Sequence, residues 1–403
     1  MKPFRFTVYL AVLSIIFSCS LQSQTPAADQ GEKGIKFEHS TWSGILEKAR
    51  QEGKPVFLDA FASWCSPCKW MAKNIFTNDT VAQFYNANFI SAKIDMEKGE
   101  GLEIAKKYGV RAYPTMLYIS PEGEMIHRTC GSVPAQEFIQ NGKNALDPEK
   151  QLSVYMKSFG DGNKDAAFTL NYLKALDGAC MEYQAEMAKY FEKQNTETLI
   201  SRPNWQIISS YLQDVNSGAF RYMVSNKDKF ASLYTADSVN MVMSRIYQAS
   251  LYELVRKKDM AGYEALQKRI MAEAGTAAPA IILSSDMKLY KKTKDWKKYA
   301  DAAEKLIDKT GVQDAELMNE AAWTLYENSD DKQLLLKAEK WAQKGVELND
   351  SYALNDTYAA VLYKIGKKDA ARAAAEKAIQ LGKKTGEDTK ETELLLEKIT
   401  AKK

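Results

Sequence analysis

Cys65 and Cys68, separated by two residues in Trp64-Cys65-Ser66-Pro67-Cys68-Lys69, are the side chains whose type and spacing speak most directly of chemistry. An apolar run precedes them and a helical pattern follows, so the first sulfur is expected at the exposed N-terminus of a helix. The unpaired N–H groups and the positive dipole end there stabilise a thiolate and lower its pKa. Cys65 is the expected nucleophile. Cys68, one turn in and shielded, is placed to attack the resulting mixed disulfide and release the partner. Pro67 suits the first helical turn, where no amide donor is needed. A rival reading is half of a zinc site, but the further ligands would have to come from His39, His127, Cys130 and Cys180, all isolated in sequence. A permanent disulfide is the other rival, and across so short a loop it would stabilise little.

The elements that would hold these thiols follow from local pattern. Between Phe37 and about Ala145, helical and strand-like stretches alternate, which is α/β architecture. Trp42 to Glu52 has apolar residues at helical spacing and ends at Gly53, a left-handed cap. Pro55 to Phe61 is apolar except for Asp59, as in a strand buried on both faces. A helix from about Pro67, a strand Phe89 to Asp95 and a helix Gly101 to Tyr108 closed by Gly109 come next. Met116 to Ile119 and Met125 to Thr129 flank the turn Pro121-Glu122-Gly123, and Phe138 and Ile139 belong to a last helix.

Composition narrows the alternatives. The 403 residues are 45% hydrophobic and 27% charged, too long for one core, with a net charge of only +3 that offers no field for nucleic acid. Two histidines leave almost nothing from which to build a Ser-His-Asp triad or a His-rich metal site. No metal, cofactor or phosphate loop is expected. Lys2 and Arg5 before the uncharged run Phe6 to Phe17 read as an export signal, shorter than the ~20 apolar residues that span a bilayer. Cleavage before Cys19, leaving 1–18 as a lipoprotein signal and Cys19 as a lipidation site, and cleavage after Ser20 are both open, so any membrane association is expected only through a lipid anchor. Residues 21–35 read as a flexible linker.

From 149 to 403 strand signals fade and helical periodicity runs to the end. Ala338 and Ala371 lie 33 residues apart, close to the period of about 34 residues of tetratricopeptide repeats, which the segment 319–384 resembles. Plain helical hairpins explain that pattern equally well. Trp205, Trp296, Trp323 and Trp341 sit at helical positions and read as core.

The motif around Cys65, with Asp59 six residues upstream and Val110-Arg111-Ala112-Tyr113-Pro114-Thr115 downstream, resembles the thioredoxin family over residues 36–148. Met71, Phe76-Thr77, Val81 and Tyr108-Gly109-Val110 make it most similar to the thioredoxin-like domains of bacterial periplasmic thiol:disulfide interchange proteins. The resemblance implies a thioredoxin fold, a central mixed sheet with flanking helices, ahead of an all-α, helical-repeat-like domain. It implies Cys65 as nucleophile, Cys68 as resolving thiol, and Pro114 as a cis-proline facing them, which exposes the Tyr113 backbone to an extended substrate. Asp59, a carboxylate in a buried strand, would have a raised pKa and could relay a proton to Cys68, unless it is a solvated strand-end residue. Lys93 belongs either beside Asp59 or on the surface.

Trp64, Tyr113 and Met96 are expected to form an apolar docking surface or else to pack as core. Ser66, where ordinary thioredoxins have Gly, leaves the potential open across the span of ~−270 to −120 mV. Cys130 falls where the resemblance puts the far wall of the substrate groove, yet it and Cys180, on a predicted helix, read as inert thiols. The expectation is an exported, periplasmic thiol:disulfide oxidoreductase, acting on disulfide-containing proteins and recharged by a thiol electron donor linked to the membrane. The competing expectation is a non-catalytic scaffold using the same surfaces for docking.

Overall fold

The computed structural model describes residues 33–309 and 313–401. Cys19, the signal at 1–20 and most of the 21–35 linker lie outside the described residues. The chain divides into two compact units, one gathering the residues up to Met156 with Gly178–Cys180, the other Lys157–Asp177 and the chain from Met181 onward.

The first unit is built on a five-stranded sheet. In chain order it runs β1 (Phe37–Glu38), α1 (Trp42–Glu52), β2 (Val56–Phe61), α2 (Ser66–Asn74), α3 (Asp79–Asn88), β3 (Ile90–Asp95), α4 (Gly101–Tyr108), β4 (Thr115–Ile119), β5 (Met125–Cys130) and α5 (Ala135–Leu146). The strand order is β1-β3-β2-β4-β5, with β1 and β2 parallel to β3, and β4 antiparallel to both β2 and β5. This is the mixed sheet that the motif implied.

Strand alternation sorts the core into two layers. Val56, Leu58 and Ala60 of β2 join Leu117 and Ile119 of β4 and Ile45 and Ala49 of α1 on one side. Phe57, Met116 and Tyr118 face the other way, into Met71, Tyr85 and Phe138 of α2, α3 and α5. Asp59 has the parity of Phe57. Tyr85 Oη lies 2.8 Å from the Phe138 carbonyl, to which it donates, and 2.8 Å from Tyr118 Oη, which therefore donates to it. The two chain reversals after α1 and α4 are closed by Gly53 and Gly109 at φ 64° and 60°, where a Cβ would be strained.

After β5, among the described residues, every element is a helix, continuing past α5 with α6 (Leu152–Gly160), α7 (Ala166–Gly178) and α8 (Gln184–Glu192). None of the described helices is long and apolar enough to cross a membrane. In the second unit Trp341 is fully buried among Tyr299, Met318, Ala321 and Leu325. Ala338 and Ala342, and their counterparts Ala371 and Ala375 in the helix Lys368–Thr385, are buried completely, so the 33-residue step joins small faces inside helix packing. Asn355 is buried and satisfied, its Nδ2 donating to Asp350 Oδ1 at 2.8 Å and the Ser351 carbonyl at 2.9 Å. Trp205 is buried too, but Trp296 and Trp323 are only half covered, because helical spacing places a ring on a face without saying whether another helix closes over it.

His127 of β5 is buried, and its Nδ1 accepts the Leu152 N–H at 3.2 Å. A backbone N–H can only donate, so this nitrogen carries no proton. Burial pushes the His127 pKa down from 6.5 to about 4. Between those values the unfolded chain binds a proton that the folded chain refuses, so stability is present above pH 6.5 and falls as pH drops toward 4. Denaturant midpoints across this window should fall more steeply for the native chain than for His127→Gln, the gap reaching roughly 3 kcal/mol at pH 4.

Candidate functional site

Helix α2 starts because Cys65 caps it. Its backbone is extended, at φ −69° and ψ 108°, and its Sγ accepts the Cys68 N–H at 3.1 Å. Its carbonyl accepts the Lys69 N–H at 3.2 Å, and its own N–H is spent on the Ala62 carbonyl at 3.0 Å. A sulfur thus occupies the place where an N-cap oxygen ordinarily meets the orphan amides of a helix. Pro67 sits in the first turn. Cys65 and Cys68 form a disulfide with their Cα atoms 5.3 Å apart.

Cys65 is not the exposed member of the pair. Both cysteines are 2% exposed, because the bonded sulfurs turn toward each other under Phe61 and Tyr113. Tyr113–Pro114 is a cis peptide bond. The loop that carries it is fastened from both sides, by Thr115 Oγ1 donating to the Ala112 carbonyl at 2.8 Å and by the Gly131 N–H donating to the Pro114 carbonyl at 2.9 Å. Thr115 itself lies in register between Ala60 of β2 and Cys130 of β5.

Trp64 stands 65% exposed, its ring edge-on to Tyr113 at 6.0 Å. Its Nε1–H donates to Glu97 Oε2 at 2.8 Å, so an exposed indole is held in one place. Met96 does not join this surface. It is 1% exposed, within the layer of Leu58 and Ala92, and its N–H reaches back to the Phe61 carbonyl at 2.8 Å. The residue that meets Trp64 is its neighbour Glu97, two residues past the end of β3, which no periodicity singles out.

Asp59 is fully buried and paired with Lys93, whose Nζ also lies 4.1 Å from the centre of the Phe61 ring. The pair occupies matching positions on β2 and β3. Asp59 Oδ1 has no hydrogen-bond partner. Burial raises the Asp59 pKa above the ordinary carboxylate value, against the pull of the Lys93 charge.

Cys130 and Cys180 are not inert thiols. They form a second disulfide, Cα atoms 5.9 Å apart, and Cys180 lies just beyond α7 rather than within a helix. A separation of 50 residues hid the pairing from a reading by spacing. Arg128 escaped notice as well. It is buried in β5 and donates to the Tyr108 and Gly109 carbonyls, each at 3.1 Å, capping the C-terminus of α4.

A dithiol pair in disulfide form at a helix start, beside a cis-proline loop on a mixed sheet, defines a thioredoxin-type redox domain. Residues 43–146 match the family described as Thioredoxin-like domain. Over 106 residues the chain is 33% identical to Thioredoxin H4 of Arabidopsis thaliana, covering 26% of this chain and 84% of that one. Over 100 residues it is 33% identical to the thiol:disulfide interchange protein DsbD of Pseudomonas fluorescens, covering 24% of this chain and only 17% of that protein's length. A solution structure described as a candidate disulphide-isomerase from Bacteroides thetaiotaomicron is 42% identical, covers 28% of this chain and 95% of its own, and superposes with a TM-score of 0.27. Through its first unit the chain belongs to the thioredoxin-like family.

The buried carboxylate carries a measurable cost. A group whose pKa is raised by folding favours the fold at low pH and opposes it once ionised. Replacing one side of a buried ion pair ordinarily destabilises, but here Lys93 is partly exposed and can keep its charge in water. Asp59→Ala should therefore raise the urea midpoint at pH 7, by roughly 1 to 3 kcal/mol in unfolding free energy, with the gain shrinking as pH is lowered.

Proposed function

We propose that this protein is an exported thiol:disulfide oxidoreductase that reduces or isomerises disulfides in other proteins. The observation that carries this reading is the Cys65–Cys68 disulfide capping α2 beneath Tyr113, with the tethered Trp64 exposed beside it. In the reduced state the Cys68 N–H and the helix N-terminus stabilise the Cys65 thiolate. That thiolate attacks one sulfur of a substrate disulfide. The substrate S–S bond breaks, its electron pair leaves on the other substrate sulfur, and Cys65 is joined to the substrate. Cys68, once deprotonated, attacks Cys65 Sγ, expels the second substrate thiolate and restores the disulfide seen here.

Asp59 is the group we assign to take the Cys68 proton. Its raised pKa brings it toward the range in which a carboxylate exchanges protons with a thiol, and its second oxygen is free to accept. Trp64 and the Tyr113–Pro114 loop are assigned to hold an extended substrate segment, the backbone pairing beside Tyr113 and the indole packing on side chains. Lys93 holds Asp59 in place.

Each cycle of reduction consumes two electrons, so a thiol donor must return them. We assign that task to a membrane-linked partner, a reading supported by the likeness to the thiol:disulfide interchange protein. The same likeness, together with the export signal read at 1–20, supports a periplasmic location, with lipidation at Cys19 as its anchor.

Reduction of insulin by dithiothreitol gives the test. The native chain should accelerate it and Cys65→Ser should not; equal rates would refute the assignment. Cys68→Ala should accumulate mixed disulfides through Cys65, recoverable on non-reducing gels. Asp59→Asn should slow release of such an intermediate roughly tenfold or more near pH 7.

A further inference from the structure

The disulfide that is open to solvent is not the one at the helix start. Cys65 and Cys68 are covered, whereas Cys180 is exposed and its partner Cys130 half-buried. Cys180 also stands in a position that ordinarily belongs to glycine. The Met181 N–H reaches back to the Leu176 carbonyl at 2.9 Å, closing α7 with a Schellman turn, and Cys180 is its left-handed residue at φ 50°. A side chain with a Cβ is less favourable there than glycine, so the cap by itself does not call for a cysteine.

The other end of the bond is tied to the redox site. Cys130 ends β5 opposite Thr115, the residue after Pro114, and the next N–H, of Gly131, holds the Pro114 carbonyl. Gly178–Cys180 groups with the sheet unit although the residues on either side of it group with the helices. The bond joins Cys180 of this turn to the last residue of β5.

We infer that Cys130–Cys180 is a second thiol-exchange site, which accepts two electrons from a protein dithiol at Cys180 and, through Cys130 and Gly131, sets how firmly the Pro114 loop is held for substrate. A donor thiolate attacks Cys180 Sγ, and the bond to Cys130 breaks with its electron pair leaving on Cys130, which takes up a proton. The donor's second thiolate then displaces Cys180 as a thiol and departs as a disulfide. The chain gains two electrons and two protons. Oxidised, the turn clamps the end of β5; reduced, the strand end and the Pro114 carbonyl lose that support. The second clause of the inference rests on the oxidoreductase reading, and the first does not.

Two measurements separate these clauses. In full-length Cys65→Ser/Cys68→Ser, only the second disulfide can react. Incubation with a reduced thioredoxin in native buffer, an acid quench and maleimide labelling should modify Cys130 and Cys180 together, as located by peptide mass. No labelling of either cysteine, even after unfolding, unless a reductant is added in guanidinium would show a structural bond and overturn the inference. Cys130→Ala/Cys180→Gly keeps the glycine-type cap while removing the bond. Against a native chain whose Cys130–Cys180 bond is shown by labelling to be intact under the assay conditions, it should raise KM for insulin threefold or more with kcat changed less, since the clamp bears on how substrate is held and not on the thiol chemistry at Cys65. Equal KM values would overturn the coupling. A native chain inert toward insulin would sink the oxidoreductase reading instead, and labelling alone would then decide the exchange site.

Discussion

A helix must begin somewhere, and its first amides must find acceptors. In this protein the acceptor at the start of α2 is a sulfur, 3.1 Å from the Cys68 N–H. Serine or aspartate would cap more strongly, but neither could exchange a disulfide. The arrangement makes one hydrogen bond serve both structure and reactivity, since the group that closes the helix is the group whose thiolate the helix stabilises. The rest of the unit keeps that terminus in place. The apolar run of β2 delivers the chain to it, the Ala62 carbonyl spends the Cys65 N–H, and Tyr113 and Phe61 close over the sulfurs.

The same logic explains why the core tolerates Asp59. A carboxylate on the Phe57 side of β2, with one oxygen unpartnered, works against folding. Its neighbours are chosen to limit the damage: Lys93 brings a countercharge from β3 while resting on the Phe61 ring. Other buried polar groups of this unit are bonded, as in the Tyr85–Tyr118 pair and the Arg128 Nη1 bonds to the end of α4, while Ser91 Oγ, Arg128 Nε and Thr129 Oγ1 share with Asp59 Oδ1 the lack of a partner. Of these residues only Asp59 is a carboxylate, and it lies on the strand that leads to the thiols.

Much of this could be read along the chain because it is local. Helix ends at Gly53 and Gly109, the strand-to-helix step at Cys65, and the alternation along β2 and β4 are set by residues a few positions apart. The ion pair of Asp59 with Lys93 was legible as one of two options. What escaped depends on register or on distant chain. Met96 and Glu97 are adjacent, and only the way β3 ends decides that the methionine goes into the core and the acid out to Trp64. Cys130 and Cys180 are 50 residues apart and on different kinds of element. In the helical unit, periodicity marks which face of each helix is apolar but not which helix covers it, so Trp341 and Trp323 look alike in sequence and differ in burial.

The sheet's two borders have an implication of their own. β1 is two residues long. β5 buries a cation and a neutral imidazole, Arg128 and His127, and its pairing with β4 slips at Tyr118/Ile119. Short length, an inward charge and a register break are each devices that discourage another strand from adding to an open border. A chain proposed to grip extended polypeptides at its Pro114 loop thus offers them no sheet border to extend, which guards it from templating the aggregation of the unfolded clients it would handle.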